Sequence, residues 1–119
     1  MAKVLVVDDS SLMRAVLRNF VAKENHQVIE ATEGNEAINK YKSEKPAMVF
    51  MDILMPNGLD GLSAAREIRK IDPAARIVMV TSVREQKEIE EAKKIGIKGY
   101  INKPFSKEEI TKAIRENIS

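Results

Sequence analysis

The chain reads as a doubly wound α/β domain: a five-stranded parallel sheet in the order 2-1-3-4-5, with five flanking helices. Three observations predict it. Five short apolar runs alternate with five amphipathic stretches along 119 residues. Most of those runs are apolar throughout, as strands covered on both faces should be. The length suits one core, and at this size 2-1-3-4-5 is the common doubly wound order.

The first strand is Val4–Val7, VLVV, and the helix after it carries Met13, Val16, Leu17 and Phe20 on one face. Asp9 or Ser10 can N-cap that helix. The second strand, Gln27–Ala31, is followed by a helix around Ala37, Ile38 and Tyr41. The third, Met48–Met51, precedes a helix with Leu62, Ala65, Ile68 and Ile71 on its apolar face. The fourth, Ile77–Val80, precedes a more polar helix around Ile89, Ala92 and Ile95, with Gly96 placed for a C-cap. The fifth, Gly99–Asn102, precedes a helix with Ile110, Ala113 and Ile114 inward. Ser82-Val-Arg-Glu85 and Ser106-Lys-Glu-Glu109 both read as capping boxes.

Bulk properties exclude several classes. Hydrophobic residues make up 44% and charged residues 32%, the balance of a soluble globular protein. A net charge of +2 without a basic block argues against nucleic acid. With no cysteine there is no disulfide or thiolate metal site, which fits a reducing cytoplasm. The N-terminal apolar run breaks at Asp8, so it is no signal peptide, and no segment approaches bilayer length. Met1 and the polar end ENIS suggest a complete chain, one domain over residues 1–119, located in the cytoplasm.

Polar residues collect where the strands end. The first ends in Asp8-Asp9, the third in Asp52, the fourth in Thr81-Ser82, the fifth in Lys103-Pro104. In a doubly wound sheet these positions share one edge, where ligands sit at the reversal of strand order. Three carboxylates gathered there repel one another and call for a cation. Their hard oxygens suit Mg²⁺, with Mn²⁺ a substitute. Asp8 and Asp9, as neighbours, suit metal ligation, and Asp52, alone after a central strand, suits covalent acceptance of a phosphoryl group. Lys103 and the Thr81 hydroxyl could then hold that anion. Singly, each residue has an ordinary explanation, such as a cap, a turn former or a surface lysine. Jointly, on one edge of four strands, they point to phosphoryl chemistry.

VLVVDDS, MDILMP, VTS and NKPF, in that order and at this spacing, resemble the receiver domain of two-component response regulators, a flavodoxin-like fold. The resemblance covers the whole chain and is nearest to the stand-alone chemotaxis regulators. It implies that Asp52 is the phosphoacceptor, that Asp9 and Asp52 bind Mg²⁺ directly and Asp8 through water, and that the backbone carbonyl of Leu54 is a further ligand. It implies that Lys103 contacts the phosphoryl group and precedes a cis peptide at Pro104. Thr81 would be the switch hydroxyl and Tyr100 the switch aromatic, which turns inward when the hydroxyl moves. The implied donor is a phosphohistidine on a CheA-like sensor histidine kinase. The implied target is a flagellar switch protein or an adaptor, bound by a changed surface of the fourth and fifth helices. The protein would be a monomeric regulatory phosphoprotein rather than an enzyme, promoting only its own phosphotransfer and dephosphorylation.

Two features depart from the family pattern. MPNGLDG, Met55 to Gly61, carries one extra residue in the loop after the third strand, and Gly58 suggests a positive-φ turn there. Leu54 and Val83 are aliphatic where the family tunes the attack of water on the phosphoryl group. Glu85, Glu88, Glu90 and Glu91 crowd the fourth helix, either as a solvated face or as an acidic docking face for a basic partner. His26 reads as a loop residue rather than a ligand, the methionines as core fillers, and Arg14 and Arg18 as solvated surface.

Three rival functions fit less well. A flavodoxin-type electron carrier needs a hydroxyl- and glycine-rich phosphate loop after its first strand, where Asp8-Asp9 would repel the flavin phosphate. It also needs stacking aromatics, which are only 4% of this chain. A haloacid-dehalogenase-type phosphatase wants a second acid two residues after its nucleophile, where this chain has Ser10 after Asp8. A receiver used purely for binding would not need the acceptor, the acids and the lysine together.

Overall fold

The computed structural model describes residues 1–118. Its elements run β1 (Lys3–Val7), α1 (Ser11–Lys23), β2 (Gln27–Ala31), α2 (Gly34–Glu44), β3 (Met48–Met51), α3 (Gly61–Ile71), β4 (Ile77–Thr81), α4 (Gln86–Ile95), β5 (Gly99–Asn102) and α5 (Lys107–Asn117). The strands form one parallel sheet in the order β2-β1-β3-β4-β5, as the sequence predicts.

The three central runs, β1, β3 and β4, become strands because each is buried on both faces. Leu5, Val7, Val49, Met51, Ile77 and Met79 pack with Ala64, Ala65 and Ile68 of α3 and Ala37 and Tyr41 of α2 on one side. Val4, Val6, Met48, Phe50, Val78 and Val80 pack with Leu17 and Val21 of α1 and Ile110 and Ile114 of α5 on the other. The alternation within each strand divides its side chains between these two cores. A β-branched or Met-rich run with no polar position is the sequence form of that division.

Capping fixes where the helices start. Ser10, not Asp9, caps α1, its hydroxyl accepting the Met13 N–H. Asp60 caps α3 through the Ser63 N–H, and Ser106 and Glu109 form the expected capping box of α5. Gly96 ends α4 in the left-handed region at φ 93. The capping box predicted at Ser82 does not form: α4 begins at Gln86, after a Glu85 that makes no side-chain cap bond. The cause is competition. The Val83 N–H donates to Thr81 Oγ1 at 3.3 Å, and the Val83 carbonyl accepts from Tyr100 and Asn102. The backbone at Val83 is thereby held out of a helix.

Two further expectations change. Ile71 belongs to the predicted apolar face of α3 but is 45% exposed, because the face leaves the core in the last turn. There Tyr41 Oη already closes the layer by donating to Asp72 Oδ2 at 2.7 Å. Gly58 does not take positive φ; among the described glycines only Gly96 does. Its small size serves close approach instead, since a Cβ there would lie 2.5 Å from Glu33 Oε1. The longer loop is sewn to the start of α2: the Leu59 N–H donates to Glu33 Oε1, and the Gly34 N–H to the Leu59 carbonyl.

Gly61 is the tightest point of that loop. Its N–H donates to the Ile53 carbonyl at 3.0 Å, and a Cβ on it would stand 1.9 Å from the Asp52 carbonyl oxygen. The backbone of α3 therefore rests directly on the residue that ends β3. Gly61→Ala is expected to destabilise the fold by about 2 kcal/mol, the usual scale of overpacking. Urea denaturation followed by circular dichroism checks this; an unchanged midpoint would show that the loop yields freely.

Candidate functional site

Parallel register brings the strand ends to one edge. Val7 lies opposite Met51, Met51 opposite Met79, and Thr81 opposite Asn102. The residues that follow, Asp8, Asp52 and Lys103, therefore meet although they are far apart in the chain. Asp8 and Asp52 continue the pairing by one bond each, their N–H groups donating to the carbonyls of Ala31 and Val7. The sheet thus positions the base of both carboxylates.

Lys103 spans them. Its Nζ lies 2.8 Å from Asp8 Oδ2 and 3.0 Å from Asp52 Oδ2. Its N–H donates to the Thr81 carbonyl, and its peptide bond to Pro104 is cis. The other oxygens are also engaged: Asp8 Oδ1 accepts the Ser10 N–H at 2.9 Å and Asp52 Oδ1 the Leu54 N–H at 3.3 Å. Asp9 is exposed, while Asp8 is 1% and Asp52 6% exposed. Ligand oxygens of Asp8, Asp9 and Asp52 all lie within 4.8 Å of one another. An all-oxygen donor set of this size and charge fits a hard divalent cation. The tolerance of adjacent acids has a partly different basis from the one expected, since Lys103 offsets one of the two buried charges and Asp9 is exposed to solvent.

The electrostatics are unequal. Burial raises the Asp8 pKa above its ordinary value; the bonds from Lys103 and the Ser10 N–H offset only part of this, and the charge on Asp52 adds to it. Burial works against the Lys103 ammonium too, but it faces two carboxylates, whose hydrogen bonds and charges outweigh that cost and raise its pKa. The lysine therefore stays charged, and the cost of confinement falls on Asp8.

Thr81 and Tyr100 meet through one residue. Thr81 is fully buried, and its Oγ1 accepts the Val83 N–H. Tyr100 Oη donates to the Val83 carbonyl at 2.7 Å. Burial raises the tyrosine pKa, with Glu88 and Glu85 adding to the rise. Asn102 Nδ2 donates to the carbonyls of both Thr81 and Val83, a clamp the sequence reading missed. So was Arg84, whose Nη2 donates to the Lys103 carbonyl. Neither residue type in these places carries a sequence signal, because each acts on backbone across the sheet edge.

Leu54 is 54% exposed and, with Ile53, Leu62, Val83, Asp60, Glu85 and Glu88, lines an open groove of about 590 Å³ beside Asp52. The four acids of α4 divide. Glu91 pairs with Arg66 at 2.6 Å, Glu90 accepts from Gln86, and Glu85 accepts the Arg84 N–H. Glu88 Oε2 is buried without a partner. His26 is not near the site; its Nδ1 accepts the Ala2 N–H. No described helix is long and apolar enough to cross a membrane.

Comparison with known proteins agrees with this geometry. The response regulator receiver domain matches residues 4–115. The chemotaxis protein CheY of Thermotoga maritima is 42% identical over 96% of this chain and 95% of its own. CheY of Halobacterium salinarum is 44% identical over 100% of this chain and 99% of its own. Among solved structures, a CheX-CheY-BeF₃-Mg complex from Borrelia burgdorferi superposes with a TM-score of 0.90 at 28% identity, covering 97% of this chain and 87% of that one. By its sheet order, its gathered acids and these matches over nearly its full length, the chain belongs to the response regulator receiver domain family.

Proposed function

We propose that the protein is a single-domain phosphorylation switch of the chemotaxis type, charged at Asp52 by a CheA-like sensor histidine kinase. The observation that carries this reading is Lys103 Nζ held between Asp8 and Asp52, in a pocket whose third acid, Asp9, stays open to solvent. An anion placed on Asp52 meets a waiting ammonium there.

In the transfer, a carboxylate oxygen of Asp52 attacks phosphorus. The P–N bond to the donor imidazole breaks, and its electron pair returns to the ring. Asp9, Asp52 and the Leu54 carbonyl would hold Mg²⁺ directly and Asp8 through water; bound there, the ion supplies neutralisation of the transferring oxygens. Lys103 would turn from its carboxylates to the phosphoryl group. The Thr81 hydroxyl would turn toward the same group, giving up the Val83 N–H. Val83 also anchors Tyr100, so the ring and the α4–β5–α5 surface would respond together. That surface would bind a flagellar switch protein or an adaptor. The named chemotaxis proteins among the relatives support this output.

Incubation with Mg²⁺ and acetyl phosphate tests the reading by intact mass. One phosphoryl group is expected on the wild-type chain and none on Asp52→Asn; equal labelling of the variant would refute the assignment. Two further outcomes follow. The groove beside Asp52 offers Leu54 and Val83 rather than polar groups to an attacking water. Leu54→Asn should therefore speed decay of the phosphorylated protein several-fold, and an unchanged half-life counts against the aliphatic barrier.

The Asp8 carboxylate has a raised folded pKa, so its contribution runs opposite to that of a typical salt-bridged acid. Stability is lost as pH rises from the ordinary aspartate value of 3.8 through the higher folded value. Asp8→Asn should thus stabilise the metal-free protein at pH 7 by about 1 kcal/mol, the common gain when a functional site is relieved of a conflict. Denaturant midpoints in chelator check this, and destabilisation would mean that the Lys103 bond outweighs burial.

A further inference from the structure

Arg14 reads in the sequence as solvated surface, and the structure corrects this. Its side chain is 16% exposed, its Nε donates to Glu30 Oε1 at 3.0 Å, and its Nη1 donates to the Asp8 carbonyl oxygen at 2.8 Å. Glu30, on β2, also accepts from Arg18 Nη1 at 2.8 Å. Arg18 makes no described contact with Asp8, Asp9 or Asp52 and is 47% exposed. One guanidinium thus ties the edge strand to the single peptide that joins Asp8 and Asp9.

That peptide matters because it is planar. The Asp8 N–H is fixed on the Ala31 carbonyl and its side chain on Ser10 and Lys103. Its carbonyl is the remaining handle, and the direction of the carbonyl sets the plane from which Asp9 departs. Asp9 is exposed and owes its place near Asp8 and Asp52 to its backbone. We infer that Arg14 is a positioning residue for the cation pocket: anchored on Glu30, it holds the Asp8–Asp9 peptide so that the Asp9 carboxylate stays within reach of Asp8 and Asp52. This rests on the reading of the three acids as the Mg²⁺ site. An arginine is needed because its planar fork donates in two directions at once, toward Glu30 and toward the carbonyl; a lysine offers one point charge.

Coulomb's law and positioning predict opposite signs. A cation beside the acids competes with a metal, so charge alone says that removing Arg14 tightens metal binding. Positioning says that removal loosens it. Mn²⁺ affinity of the full unphosphorylated chain, measured by calorimetry, decides, with melting curves in chelator to follow the fold.

Arg14→Gln and Arg14→Lys are each expected to weaken Mn²⁺ binding about tenfold, the scale seen for groups behind metal ligands. Arg18→Gln, which shares the Glu30 pair but not the carbonyl, should stay within about twofold of wild type on the same argument. If Arg14→Gln fails to fold, the charge-conserving Arg14→Lys carries the test. Unchanged or tighter binding in a folded Arg14 variant overturns the inference while leaving the pocket's role intact, as does an equal loss in Arg18→Gln. A wild-type chain that takes no Mn²⁺ overturns the reading of the pocket, and this inference with it.

Discussion

An ammonium between two buried carboxylates organises this molecule. Lys103 comes from the end of the edge strand β5, and Asp8 and Asp52 from the ends of the adjacent strands β1 and β3. With β4 lying between β3 and β5, the lysine reaches across it to close the sheet edge. A surface ion pair would be worth little, but these acids are almost wholly buried. Removing their counter-charge would leave two desolvated anions side by side. The contact therefore offsets part of the cost of burying those acids, and its geometry is inherited from the strand register.

The two cores below that edge serve the same end. A parallel sheet covered on both faces has little freedom to shift, because a slip of one residue would exchange the side chains of the two cores. Leu5 and Val7 face one core, Val4 and Val6 the other. The rigidity that results fixes the height at which each strand stops, and hence the reach of each acid. Gly61, pressed against the Asp52 carbonyl, carries that rigidity into the loop after β3. The stability of the scaffold offsets what the site loses in electrostatics, visible in the raised pKa of Asp8.

What could be read in the sequence was what local pattern controls. Strands β2, β3 and β5 have the predicted bounds, each a short run flanked by polar or turn residues. The gathered acids and Lys103 were legible for the same reason: each directly follows a strand, and topology does the rest. The failures share a physical source, contacts made with residues far away in the sequence. Ser82 lost its cap because Thr81, Tyr100 and Asn102 had taken the Val83 backbone. Gly58 was needed for closeness to Glu33, a residue from another loop. Arg14 lay on the polar side of α1 by its spacing, yet its guanidinium found a carbonyl after β1 and an acid on β2. A helical wheel shows which way a side chain leaves the helix, not what it meets at the end of three methylenes.

The same competition places a single residue between the pocket and β5. Val83 has no chemistry of its own, but both its backbone groups are committed in opposite directions. Its N–H goes to the buried Thr81 hydroxyl, and its carbonyl to Tyr100 and Asn102 on β5. A rotation of Thr81 toward an anion on Asp52 would free the N–H and release the backbone dihedrals of Val83, and a change in them would move the carbonyl that holds the tyrosine. Such a coupling would need no chain of rearranged side chains, because the two peptides that flank the Val83 Cα carry the contacts to Thr81 and to Tyr100. The absence of a side-chain cap on α4 then has a use: a helix start not locked by its own sequence can follow the loop that leads into it.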